Sequence, residues 1–218
     1  MAAGYCIRAY QVTPTGPGVD TPECLEQVRA LMGGQSPAPQ PTLSDIRLVT
    51  TDVDGVLTDG GIYYDASDEC LKRFHVRDGM GMRLLEENGV QVAVLSGRDS
   101  ATLRKRVADL GITLYQFGVK DKKSACNQLM AEAGVNATQT VCIGDDCIDL
   151  PAFAACTLSF AVSDAPAYVK AAASYVLNAA GGTGAFREVA DAILFAQGKD
   201  AVLRTEAGYA QVMTKMAQ

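Results

Sequence analysis

The chain has 218 residues, 48% of them hydrophobic and 20% charged, and a formal net charge of −6. This suits a folded domain of ordinary size with some chain to spare; the acidic balance excludes the basic footprint a nucleic-acid backbone needs, but not a small anionic ligand held by a few local cations. No apolar run reaches the about 18–20 residues that span a bilayer, so no membrane partner is expected, and the seven cysteines, odd in number and without a C-x-x-C pair, fit a reduced, cytoplasmic setting better than a zinc site or disulfide framework.

Taken in chain order, residues 1–44 read as an N-terminal extension and linker. Thr21 is placed to cap a short helix over 23–32 with Pro22 at its first position. The following GGQSPAPQPT at 33–42 has no apolar periodicity and reads as a linker. One helix cannot bury a core alone, so this piece is not expected to fold independently.

From Asp45 onward, strand and helix patterns alternate. IRLVTT at 46–51 is a buried-strand pattern, and QVAVL at 91–95 and TVCI at 140–143 repeat it. Residues 61–75 carry two short strand-like runs around a polar turn at 65–69, which predicts a projecting β-hairpin. Helices are expected over 79–88, 100–110, 121–133 and 166–172, and helical propensity returns in a tail over 199–218. Strands separated by such helices predict an α/β fold with a doubly wound parallel sheet, spanning residues 45–198.

The polar residues gather where that fold binds ligands, beyond the carboxyl ends of the strands. Asp52 and Asp54, in DVDGVLT, follow the first strand, and a turn at Gly55 is expected to bring both into one pocket. Asp145, Asp146 and Asp149, in GDDCID, follow the TVCI strand; clustered acids call for a hard cation, and carboxylates with water suit Mg²⁺. Ser96, Gly97 and Arg98 follow QVAVL and offer a hydroxyl and backbone N–H groups to a phosphate. Lys120, Lys122 and Lys123 lie at the start of a helix, where the dipole gives a cation no reason to be. Each piece alone is an ordinary turn, cap or solvated face. Their joint occurrence at successive strand ends is not.

These motifs resemble the four motifs of the haloacid dehalogenase superfamily of phosphotransferases, over about residues 45–196. The resemblance implies a Mg²⁺-dependent phosphomonoester hydrolase, with Asp52 as the nucleophile that forms an aspartyl-phosphate and Asp54 as the general acid/base. It implies that Ser96, Gly97 and Lys122 bind phosphate, with Lys120 and Lys123 as less suited lysines. It implies that Asp52, Asp145 and the main-chain carbonyl of Asp54 hold Mg²⁺, with Asp149 orienting Lys122 or metal-bound water.

The stretch between Thr58 and Gly79 has space for a hairpin and no cap domain. FHVRDGMGMRLL, GVKDK and GGTGAFRE further resemble a capless, tetrameric branch of the superfamily that dephosphorylates an eight-carbon sugar acid of lipopolysaccharide synthesis. That resemblance suggests Arg77 and Arg187 as substrate contacts, salt bridges to Asp78 or Glu188 being the alternative, and a tail reaching a neighbouring active site. His75, the single histidine, reads as a packing or surface residue. GVDTPECLEQVRALM, at 18–32, resembles the closing segment of a sugar-acid cytidylyltransferase and reads as a fusion remnant. Open alternatives are a phosphatase of a nine-carbon sialic-type acid, a phosphotransferase or mutase using Asp52, and a non-catalytic oligomerisation module.

Overall fold

The computed structural model describes residues 42–64, 66 and 69–216; the expected helix over 23–32 and most of the linker lie outside them. Six strands form one sheet: β1 (Leu48–Thr51), β4 (Gln91–Leu95), β5 (Leu114–Gln116), β6 (Thr140–Gly144), β7 (Leu158–Ala161) and β8 (Tyr175–Val176). Their order is β5-β4-β1-β6-β7-β8 and every pairing is parallel. The chain winds outward from β1 on one side through β4 to β5, then crosses back to β6. The strand order therefore reverses beside β1, which makes the crevice there the natural ligand site.

The central strands are buried on both faces, which explains why their sequences run apolar without alternating. Their buried hydroxyls are satisfied within the sheet: Thr50 Oγ1 donates to the Val141 carbonyl at 3.1 Å, and Thr51 Oγ1 to that of Asp52 at 2.8 Å.

The helices are α1 (Val76–Glu87), α2 (Ala101–Leu110), α3 (Lys122–Ala133), the single-turn α4 (Leu150–Phe153), α5 (Ala167–Ala172), α6 (Ala185–Ala196), α7 (Ala201–Arg204) and α8 (Glu206–Met216). The doubly wound parallel sheet and the helices near 100–110, 121–133 and 166–172 agree with the sequence reading. Helix α1 starts three residues before the expected Gly79, because His75 is its N-cap and its Nδ1 accepts the Arg77 N–H at 3.2 Å. His75 is therefore a capping residue rather than merely a packing one.

Five elements had not been anticipated, the single-turn α4 among them. Strands β5, β7 and β8 hold three, four and two residues, too few for a periodic signal. Helix α6 follows a glycine-rich loop that masked its start, yet it buries Phe186, Val189, Ala190, Ile193 and Leu194. The segment read as a tail forms α7 and α8, and Val202 and Val212 pack into the core. The hairpin is present as β2 (Tyr63–Tyr64) paired antiparallel with β3 (Glu69–Leu71).

Candidate active site

Strands β1 and β6 run in register, Thr51 beside Ile143, and the Asp52 N–H donates to the Ile143 carbonyl at 3.0 Å. Asp52 and the GDD segment thus leave the sheet side by side. After Asp52 the chain turns at once: the Val53 carbonyl accepts the N–H groups of Leu57 and Thr58, at 2.9 and 3.0 Å. Gly55 makes this turn with φ at +95°, a conformation that side chains rarely adopt. A Cβ there would also lie 2.0 Å from Asp145 Oδ2, so only glycine lets the first loop close on that carboxylate.

A second loop braces the first. The Gly182 N–H donates to the Val56 carbonyl at 2.9 Å. A Cβ on Gly181 would come within 2.0 Å of the Gly55 carbonyl oxygen, and one on Gly182 within 2.5 Å of the Asp59 nitrogen. The GGTG run preceding α6 therefore has a packing role that its sequence did not disclose.

The result is an open cleft of about 270 Å³, whose lining includes Asp52, Asp54, Ser96, Gly97, Arg98, Lys120, Lys122 and Asp145. At its floor Lys122, the first residue of α3, is buried and bonded to two carboxylates: Nζ lies 2.9 Å from Asp52 Oδ1 and 2.6 Å from Asp149 Oδ1. Asp121 caps the helix by accepting the N–H groups of Lys123 and Ser124, both at 3.1 Å. The unfavourable dipole that Lys122 meets is thus offset by ion pairs. Burial alone disfavours its ammonium, yet Asp52 and Asp149 outweigh that and hold it protonated well above the ordinary lysine range. Lys123 is exposed and Lys120 reaches only the cleft wall, so Lys122 is the lysine at the acidic centre.

Asp52, Asp145 and Asp149 offer oxygens that all lie within 4.8 Å of one another. Both oxygens of Asp149 are committed, Oδ1 to Lys122 and Oδ2 to the N–H groups of Asp145 and Asp146 at 2.9 and 3.3 Å. Asp149 shapes the loop and the lysine, which leaves Asp52 and Asp145 to face outward. Oδ1 of Asp145 is buried without a hydrogen-bond partner. Three carboxylates against one ammonium, with an orphaned oxygen among them, is a donor set that fits a divalent cation. The side chain of Asp54 does not join this set. It is paired with Lys72, so any ligation from this residue falls to its main-chain carbonyl.

The burial and crowding of these acids show in the carboxyls themselves. Burial, reinforced by the charge on Asp149, raises Asp52 to about 7 despite Lys122. Burial and then Asp52 raise Asp145 to about 8. Both groups hold protons more tightly in the folded chain than in the unfolded one, where the ordinary value is 3.8. Their contribution to metal-free stability therefore falls as pH rises from about 4 to about 8. A divalent cation takes the deprotonated carboxylates. The melting-temperature gain from Mg²⁺ is accordingly expected to be small near about pH 5.5 and to grow up to about pH 8. Thermal melts with and without Mg²⁺ across that range check it, and a pH-independent gain would contradict it.

Ser96 is buried at the end of β4, where its hydroxyl accepts the Arg98 N–H at 3.2 Å, and Gly97 beside it lines the cleft. Arg77 and Arg187 are not brought to this cleft within the chain. Arg77 is exposed at the start of α1. The Arg187 Nε pairs with Asp191 Oδ1 at 2.6 Å, one turn along α6, rather than with Asp78 or Glu188. Asp78 instead accepts the Arg187 backbone N–H at 2.9 Å, and the Glu188 carboxylate accepts the N–H groups of Asn178 and Ala179. Lys72, directly after β3, was missed altogether.

Comparison with known proteins agrees with this fold. The family model described as haloacid dehalogenase-like hydrolase matches residues 118–187. A 3-deoxy-D-manno-octulosonate 8-phosphate phosphatase of Haemophilus influenzae is 57% identical over 179 residues, 82% of this chain and 99% of that protein. The cobalt-bound structure of the Haemophilus influenzae phosphatase superposes with a TM-score of 0.76 at 59% identity, covering 77% of this chain and 98% of that one. The Moraxella catarrhalis phosphatase, solved with magnesium ion, phosphate ion and a KDO molecule, gives 0.71 at 35% identity, covering 74% and 93%. With a doubly wound sheet, paired acidic loops at its switch point and relatives this similar over most of its length, the chain belongs to the haloacid dehalogenase-like hydrolases, in the family of the 3-deoxy-D-manno-octulosonate 8-phosphate phosphatases.

Proposed function

We propose that this chain is a Mg²⁺-dependent phosphatase that releases inorganic phosphate from 3-deoxy-D-manno-octulosonate 8-phosphate through a phosphoaspartate on Asp52. The observation that carries the reading is the buried Lys122 bonded to Asp52 at 2.9 Å, opposite the unsatisfied Asp145, at the switch point of the sheet. Asp52 and Asp145 would hold Mg²⁺ with the main-chain carbonyl of Asp54. When bound, the ion supplies neutralisation of the charge on the transferring phosphoryl group.

The chain's own residues account for the steps. A carboxylate oxygen of Asp52 forms a bond to phosphorus as the bond from phosphorus to the sugar oxygen breaks, and Asp54 passes its proton to that leaving oxygen. Asp54 then takes a proton from water as the water oxygen bonds to phosphorus and the Asp52–phosphorus bond breaks. Lys122 stays protonated beside Asp52 throughout, and with the Ser96 hydroxyl and the Gly97 N–H it grips the phosphoryl oxygens. Fixed donors that need no rearrangement are worth most where water is excluded, and Lys122 is one of them.

We assign Arg77 and Arg187 to substrate contact only within an assembly, where a second subunit brings its own surface to the cleft. A homotetramer is the assembly we favour. The hairpin region leaves Tyr63, Leu71 and Val76 at 53%, 62% and 82% exposure, an apolar set that calls for cover. The segment at 199–218 would then reach a neighbouring site, and residues 1–44 would be a remnant of a cytidylyltransferase fusion. Free thiols at Cys126, Cys142, Cys147 and Cys156 suit a cytoplasmic reaction.

Phosphate release from the eight-carbon substrate, run beside a nine-carbon sugar-acid 9-phosphate, tests the proposal. Faster turnover of the eight-carbon acid is the expected result. Preference for the nine-carbon acid would move the substrate and keep the chemistry, whereas no release from either by folded, Mg²⁺-loaded protein would leave only a structural module.

A further inference from the structure

The hairpin strand β3 and the residue after it reverse the usual order of burial. Leu71 is 62% exposed, while the side chain of Lys72 is 0% exposed. Neighbouring residues of an extended chain point to opposite faces, so turning one inward turns the other outward. Here, within the single chain, the ammonium has been taken inside and the leucine left on the surface, the costlier of the two arrangements unless the buried charge is paired. One partner is Asp54, to which Lys72 is bonded through Oδ1.

The other oxygen of Asp54 is held less tightly. Oδ2 is buried and has no hydrogen-bond partner, and the Arg98 Nε stands 3.9 Å away, beyond hydrogen-bond reach. Arg98 is itself held by the hairpin, since its Nη2 donates to the Tyr64 hydroxyl at 2.8 Å. One oxygen of the carboxylate is thus clamped from the hairpin, and the other makes no hydrogen bond on a residue that lines the cleft.

From this asymmetry we infer that Lys72 is a positioning residue for the reaction: it holds Oδ1 of Asp54 so that Oδ2 alone carries the proton. The inference rests on the acid/base role of Asp54 given above. In the first step the Oδ2 proton passes to the bridging oxygen as the phosphorus–oxygen bond breaks. In the second step Oδ2 accepts a proton from the attacking water. Lys72 keeps its own protons in both, and its contribution is to remove the rotation of the Asp54 carboxylate that would otherwise misplace Oδ2. The hairpin, short as it is, then does for this cleft part of what a separate cap would do, from within the same chain.

The test compares Lys72→Met, Lys72→Arg, Asp54→Asn and the double variant Lys72→Met/Asp54→Asn in steady-state phosphate release, with a thermal melt of each. Lys72→Met is expected to lower kcat by about 30-fold or more, within the range that general acid–base catalysis commands, with KM changed less than about threefold. Lys72→Arg should recover much of that loss. The double variant should fall within about threefold of Asp54→Asn alone, because the lysine acts only through that carboxylate. A Lys72→Met loss that multiplies with the Asp54→Asn loss, or a kcat near wild type, would overturn the inference. Should Lys72→Met not fold, Lys72→Gln against Lys72→Arg makes the same comparison. A fully active Asp54→Asn would show that the acid/base reading itself had failed, and the role given to Lys72 with it.

Discussion

Asp52→Asn is expected to abolish phosphate release, lowering kcat by more than about 10⁴-fold, because it removes the carboxylate to which we assign the covalent step. The loss should come without a loss of fold. In the metal-free protein Asp52 is a buried carboxyl raised to about 7, so near pH 8 its ionised form opposes folding. An amide of the same shape removes that opposition, and the metal-free melting temperature should stay level or rise. The same variant should lose most of the stabilisation that Mg²⁺ confers, since one of its two outward-facing carboxylates is gone. Phosphate release and paired melts check all three points. Turnover within about tenfold of wild type would rule out the covalent step on Asp52.

Lys122→Met is expected to damage fold and activity together. The ammonium is bonded to Asp52 and Asp149 at 2.9 and 2.6 Å, and both side chains are buried. Removing one partner of a buried ion pair costs about 3–5 kcal/mol, because the charges left behind are uncompensated. The melting temperature should therefore drop most near about pH 8 and less near about pH 5.5, where Asp52 and Asp145 take up protons instead. Mg²⁺ should restore part of the stability and little of the turnover, which should fall about 10²–10³-fold for want of a fixed cation at the phosphoryl group. A variant with wild-type melting and turnover would mean that Lys122 only fills space.

How much of this was legible beforehand depended on whether the signal was local. The strands IRLVTT, QVAVL and TVCI declare themselves because a strand covered on both faces is rich in apolar and β-branched residues without a polar alternation. Asp121, Ser100 and the glycines after α2 and α3 mark helix ends through capping that involves only near neighbours. By contrast, β8 is a two-residue edge strand with both residues half exposed, and no pattern distinguishes it from a loop. The start of α6 was hidden by glycines that answer to the Gly55 loop, more than a hundred residues away, rather than to the helix they precede.

The sequence by itself determined the fold class and the chemistry on offer. Runs of apolar residues prescribed a parallel sheet, and acids, a hydroxyl and lysines at the strand ends prescribed phosphoryl transfer with a cation. What it could not choose was which of these groups would meet. Only the tertiary structure selected Lys122 over Lys120 and Lys123, since only its position at the first turn of α3 is buried between Asp52 and Asp149. Only the tertiary structure parted Asp149 from the outward-facing carboxylates, because both its oxygens are spent on the lysine and the loop. And only the folded hairpin brought Lys72 to Asp54, a pairing of opposite charges that composition permits anywhere and that burial made specific. The reason is the same in each case: strand and helix periodicities are properties of neighbours along the chain, whereas desolvation and ion pairing belong to neighbours in space.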